Sequence, residues 1–236
     1  MTTEIAKLPV ATRNRTWIVI AAYNEGNAIG DVVAELVPSY RNVVVVDDGS
    51  HDTTGDAALS AGAIVLRHVI NRGQGAALQT GISYALSQNA DFIVTFDADG
   101  QHRMTDLPHM IGPLERGECE IALGSRFLEH GEAVPFARRV LLGGAVIFTR
   151  LTSGVKLTDA HNGLRAFTRR AAMKIDIQLD RMAHASEIID QIRQSGLPYR
   201  EVPVHIRYTD YSMAKGQRGS AAFRVALDYL IGRVMR

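Results

Sequence analysis

The run Asn42–Val46 (NVVVV) restricts the fold more than any other stretch, because it places four valines in succession with no polar alternation. A strand with one wet face alternates apolar and polar residues, whereas a strand covered on both faces does not, and valine's branched Cβ suits a pleated surface. Three neighbouring runs carry the same signature: Thr16–Ala22 (TWIVIAA), Ala63–His68 (AIVLRH) and Phe92–Phe96 (FIVTF). Helical patterns fall between them, at about 28–37, 53–60 and from Asn71–Gly75 (NRGQG) through Gln88. Four strands alternating with three helices in about a hundred residues predict an α/β domain: an open, mostly parallel, Rossmann-like sheet flanked by helices.

Ligands of such sheets bind beyond the carboxyl ends of the strands, and each run stops in polar residues: Tyr23, Asn24 and Glu25; Asp47 and Asp48; Asn71 and Arg72; Asp97 and Asp99. The last pair, in DFIVTFDADGQH, is spaced i, i+2, so both carboxylates lean to one side of an extended segment and repel each other unless a cation lies between them. A hard divalent ion, Mg²⁺ or Mn²⁺, takes one or two carboxylates and fills its other positions with phosphate oxygens and water, and Gln101 offers a further oxygen. Asp-x-Asp-Gly is also ordinary turn chemistry, so spacing alone leaves a surface turn as the alternative. Neither a G-x-G-x-x-G fingerprint nor a G-x-x-x-x-G-K-[ST] loop occurs, which weighs against dinucleotide and P-loop sites.

At 236 residues, 46% hydrophobic and 22% charged, the chain has the composition of a globular protein. Cys119 is its sole cysteine, which excludes a disulfide framework and suits a reducing compartment. Residues 1–15 are polar and lack the apolar core of a signal peptide. From Tyr211 to Arg236 there are five Lys or Arg against Asp228 alone, an asymmetry that favours an anionic surface or ligand.

The second half is less regular. Glu120–Ser125 is read as a strand bringing Arg126 to the same edge, Asp159–Phe167 (DAHNGLRAF) as an acid, a turn and Arg165, 185–195 as a helix opened by Glu187, and 201–208 as a strand. The amphipathic stretch Pro135–Leu151, bearing Arg138 and Arg139, is either a helix packed on the sheet or one lying in a membrane interface. Residues 219–236 form a second amphipathic pattern, too short to span a bilayer and suited to an anionic membrane surface.

Taken in order, AYNEGN, VVVVDDGSHDTT, NRGQGAAL, FDADGQH, GSRF, DAHNGLRAF and EVPVHIRYTDYSMAKGQ resemble the family 2 inverting glycosyltransferases of GT-A fold, within them the polyprenyl-phosphate (dolichol-phosphate) mannose and glucose synthases. The resemblance runs from about Thr16 to Gln217 and implies an N-terminal extension (1–15), a transferase domain (16–217) and a membrane-associated C-terminal helix (218–236). It implies a nucleotide-sugar site at Ala21, Tyr23, Glu25, Val46, Asp48, Asp97, Ala98, Arg126 and Lys215, with Asp48 on the base, Arg126 facing the diphosphate and Lys215 on a closing loop; Arg207 is placed with them although it lies out of register with the family's arginine. Asp97, Asp99 and Gln101 are the implied Mg²⁺ or Mn²⁺ set, and Asp99, Arg126, Asp159, Arg165 and Glu187 the implied catalytic group. Arg138, Arg139 and Arg165 are implied on the acceptor side. The chain departs from the synthases in carrying Thr209 where they have an arginine six positions before the loop lysine.

The expected reaction moves a hexose from a nucleotide sugar, GDP- or UDP-linked, to a polyprenyl phosphate at the cytoplasmic face of the cell membrane, the protein being peripheral there. A phosphate acceptor is already ionised near neutral pH and needs no strong base, whereas a hydroxyl acceptor on a lipid-linked glycan would need one, with Glu187 or Asp159 the place to look. Nucleic acid is not an expected partner, and a homo-oligomer is allowed.

Overall fold

The computed structural model describes residues 8–128, 155, 157–159, 162–179 and 184–207. Its strands are β1 (Thr16–Ala22), β2 (Asn42–Asp47), β3 (Ile64–Arg67), β4 (Phe92–Asp97), β5 (Ile121–Ser125), β6 (Arg165–Thr168) and β7 (Tyr199–Pro203). Between them lie helices α1 (Val10–Asn14), α2 (Ile29–Leu36), α3 (Thr54–Ser60), α4 (Gln74–Ser87), α5 (Leu107–Glu115), α6 (Arg169–Ala172) and α7 (His184–Ser195).

The strands form one seven-stranded sheet in the order β3-β2-β1-β4-β6-β5-β7. β1 pairs in parallel with β2 and β4, β2 with β3, and β5 with β7. β6 is antiparallel to both its neighbours, β4 and β5. The carboxyl ends of the six co-directional strands and the amino end of β6 therefore share one edge.

The valine run is buried on both faces because its alternate side chains enter two separate cores. Ile18, Ile20, Val43, Val45, Val94 and Phe96 pack with Ile29, Val33 and Leu36 of α2 and with Met110 and Ile111 of α5. On the other face Trp17, Val19, Val44 and Ile93 meet Leu78 and Ile82 of α4 and Ile188, Ile189 and Ile192 of α7. Each fully buried aliphatic side chain contributes about 1.5–3 kcal/mol from removal of its surface from water. α4 lies so close that a Cβ at Gly81 would stand 2.3 Å from Val19 Cγ1, so any other residue there would lift the helix off β1.

β6 occupies the stretch read from sequence as a turn with an arginine, and the strand expected over 201–208 is Tyr199–Pro203 instead. Beyond Pro203, Val204 N–H donates to Ser125 O at 3.0 Å and Ile206 makes an antiparallel bridge with His102. Residues 8–15 pack onto the domain, with Leu8 in the core and Thr12 buried. Arg138, Arg139, Thr209, Lys215 and the amphipathic stretches 135–151 and 219–236 lie outside the described residues. Among the described residues no helix is long and apolar enough to cross a membrane.

Candidate active site

The loops after β1 and β2 are stitched into one rim at the carboxyl edge. Asn24 N–H donates to Ser50 Oγ at 3.0 Å, Glu25 N–H to Thr54 Oγ1 at 2.8 Å and His51 N–H to Asn24 Oδ1 at 3.0 Å. Tyr23 projects from this rim, 40% exposed. Ala21 stands level with Val46 on one side and Asp97 on the other. The carboxylate of Asp48, which is buried, holds the next loop: it meets His68 Nδ1 at 2.7 Å and accepts from Arg72 N–H at 3.0 Å and Gly73 N–H at 2.7 Å.

Beside the rim, β4 ends in Asp97, with Ala98 buried behind it and Asp99 on the following turn. Asp97 Oδ2 lies 2.9 Å from His102 Nε2, and the imidazole stands edge-on to Phe96. Burial works to raise the Asp97 carboxyl, but the facing His102, then Arg165 and His184, outweigh it and hold it below the ordinary carboxylate value. Asp99 goes the other way: burial first, and then the charge of Asp97, push it up, although Gln101 N–H donates to its Oδ1 at 3.0 Å. The pair is thus short of positive charge at its outer member.

Gly163 lies directly on this carboxylate. Its backbone is pinned because Thr95 Oγ1 donates to Gly163 O at 2.7 Å, and a Cβ there would stand 2.3 Å from Asp97 Oδ1. Two residues on, Arg165 opens β6 opposite Thr95 and is 2% exposed. Burial pulls its guanidinium down to about 10, against the upward pull of Asp97 and then Asp159. A buried cation is tolerated here because carboxylates face it on two sides.

Across the edge, Arg126 follows β5 and its Nε donates to Asp159 Oδ2 at 2.6 Å, both side chains largely buried. Asp159 Oδ1 is buried without a hydrogen-bond partner among the described residues. Arg126, Asp159, Arg165, Asp97 and Asp99 therefore form one charged cluster across the ends of β4, β5 and β6.

Two other expected site residues, Glu187 and Arg207, make contacts of their own. Glu187, 2% exposed, accepts from Gln178 N–H at 3.1 Å and Leu179 N–H at 2.8 Å. Arg207 grips Glu35 of α2 through both terminal nitrogens, at 3.2 and 3.1 Å, while its backbone N–H donates to Gln101 O at 2.8 Å. Sequence reasoning assigns no role to His102, His184 or Gly163: the available signals are that His102 belongs to the DADGQH stretch and Gly163 to DAHNGLRAF, while lone histidines without an i, i+4 partner otherwise read as structural.

Among the described residues no three or more His, Cys, Asp or Glu are grouped to hold a metal ion by themselves. The pair Asp97 and Asp99 nonetheless fits a hard divalent ion that completes its shell with phosphate and water, because such an ion would offset both the burial and the repulsion by Asp97 that raise Asp99.

Residues 17–176 match the family model described as Glycosyl transferase family 2. The UDP-N-acetylglucosamine--dolichyl-phosphate N-acetylglucosaminyltransferase of Methanococcus voltae is 33% identical, over 89% of this chain and 92% of its own length. The polyprenol monophosphomannose synthase of Mycolicibacterium smegmatis is 29% identical, over 92% of this chain and 86% of its own. Among solved structures, glucosyl-3-phosphoglycerate synthase from Mycobacterium tuberculosis, crystallised with Mn²⁺, UDP-glucose and phosphoglyceric acid, superposes with a TM-score of 0.69 at 20% identity, covering 94% of this chain and 81% of that one. The likeness establishes the GT-A fold.

Proposed function

This chain belongs to glycosyl transferase family 2, and from that membership and the charges at its carboxyl edge we propose that it transfers a hexosyl unit, with inversion, from a nucleoside diphosphate sugar to the phosphate of a polyprenyl lipid. The observation that carries the reading is the cluster in which Asp97, with Asp99 beside it, faces Arg165, which also faces the Asp159 that pairs with Arg126. Its relatives' names support the lipid phosphate as acceptor.

In this reading Asp97 and Asp99 hold a divalent ion, which when bound offsets the charge developing on the leaving diphosphate. Gly163 and His102 fix the Asp97 carboxylate from two sides, so the donor meets a ligand that does not reorient. Arg126 faces the diphosphate, and Arg165, with Arg138 and Arg139 from outside the described residues, receives the acceptor. The acceptor phosphate is its own nucleophile, so no side chain has to take a proton from it at neutral pH. This agrees with Glu187 being committed to two backbone N–H groups, and with Asp159 holding Arg126 through Oδ2. The transferase domain then spans 16–217, and residues 218–236 rest on the membrane surface that supplies the lipid.

The test is a thermal-shift screen of the purified protein with Mn²⁺ against GDP-, UDP- and dTDP-sugars, followed by offering the best donor a polyprenyl phosphate. Stabilisation by one donor, transfer to the lipid phosphate and loss of both in Asp99→Asn are expected. No stabilisation by any donor, or transfer only to a hydroxyl-bearing glycolipid, would overturn the reading.

A further inference from the structure

Glu201 sits on the edge strand β7, level with Leu123 of β5, and its carboxylate leaves the sheet to take hold of the segment ahead of β6. Oε1 accepts from Thr158 N–H at 2.8 Å, Thr158 Oγ1 at 2.9 Å and Asp159 N–H at 3.2 Å, while Oε2 accepts from Thr158 N–H at 3.0 Å. Two consecutive backbone donors thus converge on one carboxylate, an arrangement that fixes the orientation of the peptide unit bearing Asp159. Ser125, the last residue of β5, adds a contact of 2.6 Å from its Oγ to Thr158 Oγ1. The immediate consequence is at the next step outward: Asp159 Oδ2 receives Arg126 Nε at 2.6 Å and Arg126 N–H at 3.3 Å.

We infer that Glu201 is a positioning residue, which sets the guanidinium of Arg126 through the backbone of Thr158 and Asp159. The link needs no side chain in contact with substrate, and it runs in one direction through named atoms: carboxylate, two amides, carboxylate, guanidinium. Holding the sheet together does not require it, because β7 is already paired with β5 through five register positions, from Ile121 with Tyr199 to Ser125 with Pro203. Thr158 is exposed, so water can replace the bonds to it and their loss costs little stability. What water cannot replace is the direction of the Asp159 carboxylate. The functional half of the inference rests on the reading in which Arg126 faces the diphosphate.

The experiment compares Glu201→Ala, Glu201→Gln and Arg126→Ala, singly and with Glu201→Ala and Arg126→Ala combined, in the full chain. The Arg126 Nε–H resonance, assigned by its disappearance in Arg126→Ala, reports the ion pair directly. Glu201→Ala is expected to move that resonance toward the position of a solvated arginine, and Glu201→Gln, which keeps one acceptor oxygen, to restore most of it. Turnover number in Glu201→Ala should fall about tenfold, the scale of removing a residue that orients a functional ligand, with acceptor KM unchanged and no additional loss in the Arg126→Ala background. An Arg126 resonance that stays in place, or kinetic losses that add fully in the double variant, would overturn the inference. A displaced resonance with unchanged turnover supports the link and sinks the role given to Arg126 at the diphosphate, so the two failures are distinguishable.

Discussion

Replacing Gly163 by alanine tests the most confined point of the site. The added Cβ would stand 2.3, 2.4 and 2.6 Å from Oδ1, Oδ2 and Cγ of Asp97. Ordinary contact begins near 3.4 Å, so the carboxylate must retreat by roughly 1 Å. It is not free to do so, because His102 Nε2 holds Oδ2 at 2.9 Å, nor does the loop lift easily, because Thr95 Oγ1 donates to Gly163 O at 2.7 Å. Overpacking of this kind costs about 1–3 kcal/mol, which leaves a domain of ordinary stability folded, at about 5–15 kcal/mol before the change. Turnover is the more sensitive quantity: a misplacement of about 1 Å in a positioning group costs on the order of 100-fold. Gly163→Ala should therefore stay folded, melting about 2–12 °C below wild type, while losing on the order of 100-fold in transfer and most of its Mn²⁺-dependent donor binding. Calorimetry of donor binding with and without Mn²⁺, beside a transfer assay, separates the two effects. In an Asp97→Ala background the methyl group enters vacated space and should have no further effect. Transfer by Gly163→Ala within about twofold of wild type would refute the argument that this glycine fixes a working carboxylate.

Asp99 carries the pH dependence. Burial and the neighbouring Asp97 raise its folded pKa above the unfolded value, so the folded chain binds more protons and metal-free stability falls as pH rises from the ordinary carboxylate range through the raised value. Asp99→Asn removes that fall, so its melting temperature should gain on wild type across this window while transfer is lost; parallel melting curves would count against the assignment. Asp48→Ala deprives His68 and the N–H groups of Arg72 and Gly73 of their acceptor and should cost roughly 1–3 kcal/mol in urea denaturation, with faster hydrogen exchange over residues 68–73. Glu187→Gln should lower stability by roughly 1–3 kcal/mol, because an amide NH₂ replaces one of the two oxygens facing Gln178 N–H and Leu179 N–H, yet keep transfer to polyprenyl phosphate. Abolished turnover with intact donor binding would instead point to a hydroxyl acceptor.

The sheet was legible from β1 to β4 because each strand announces itself locally: an apolar run, a polar stop, a helix to follow. The valines of β2 need no knowledge of their neighbours to be read as doubly buried, and the carboxylates after β4 follow from the strand that precedes them. β6 was not legible because its first residue, Arg165, is a buried cation, and burial of a guanidinium makes sense only once Asp97 and Asp159 are brought beside it by the fold. The same limit applies to His102, to Glu201 and above all to Gly163. In sequence, Asn-Gly is punctuation, and any reader of turns would assign the glycine to a bend. In the structure the reason for it is the carboxylate of Asp97, contributed by a different strand, against which no side chain fits. Residues whose constraint is local could be assigned from the pattern around them, whereas those whose constraint is a partner across the sheet could not. The candidate site is built mainly from the second kind, since a cluster of opposed charges is stable only where distant segments supply both signs at once.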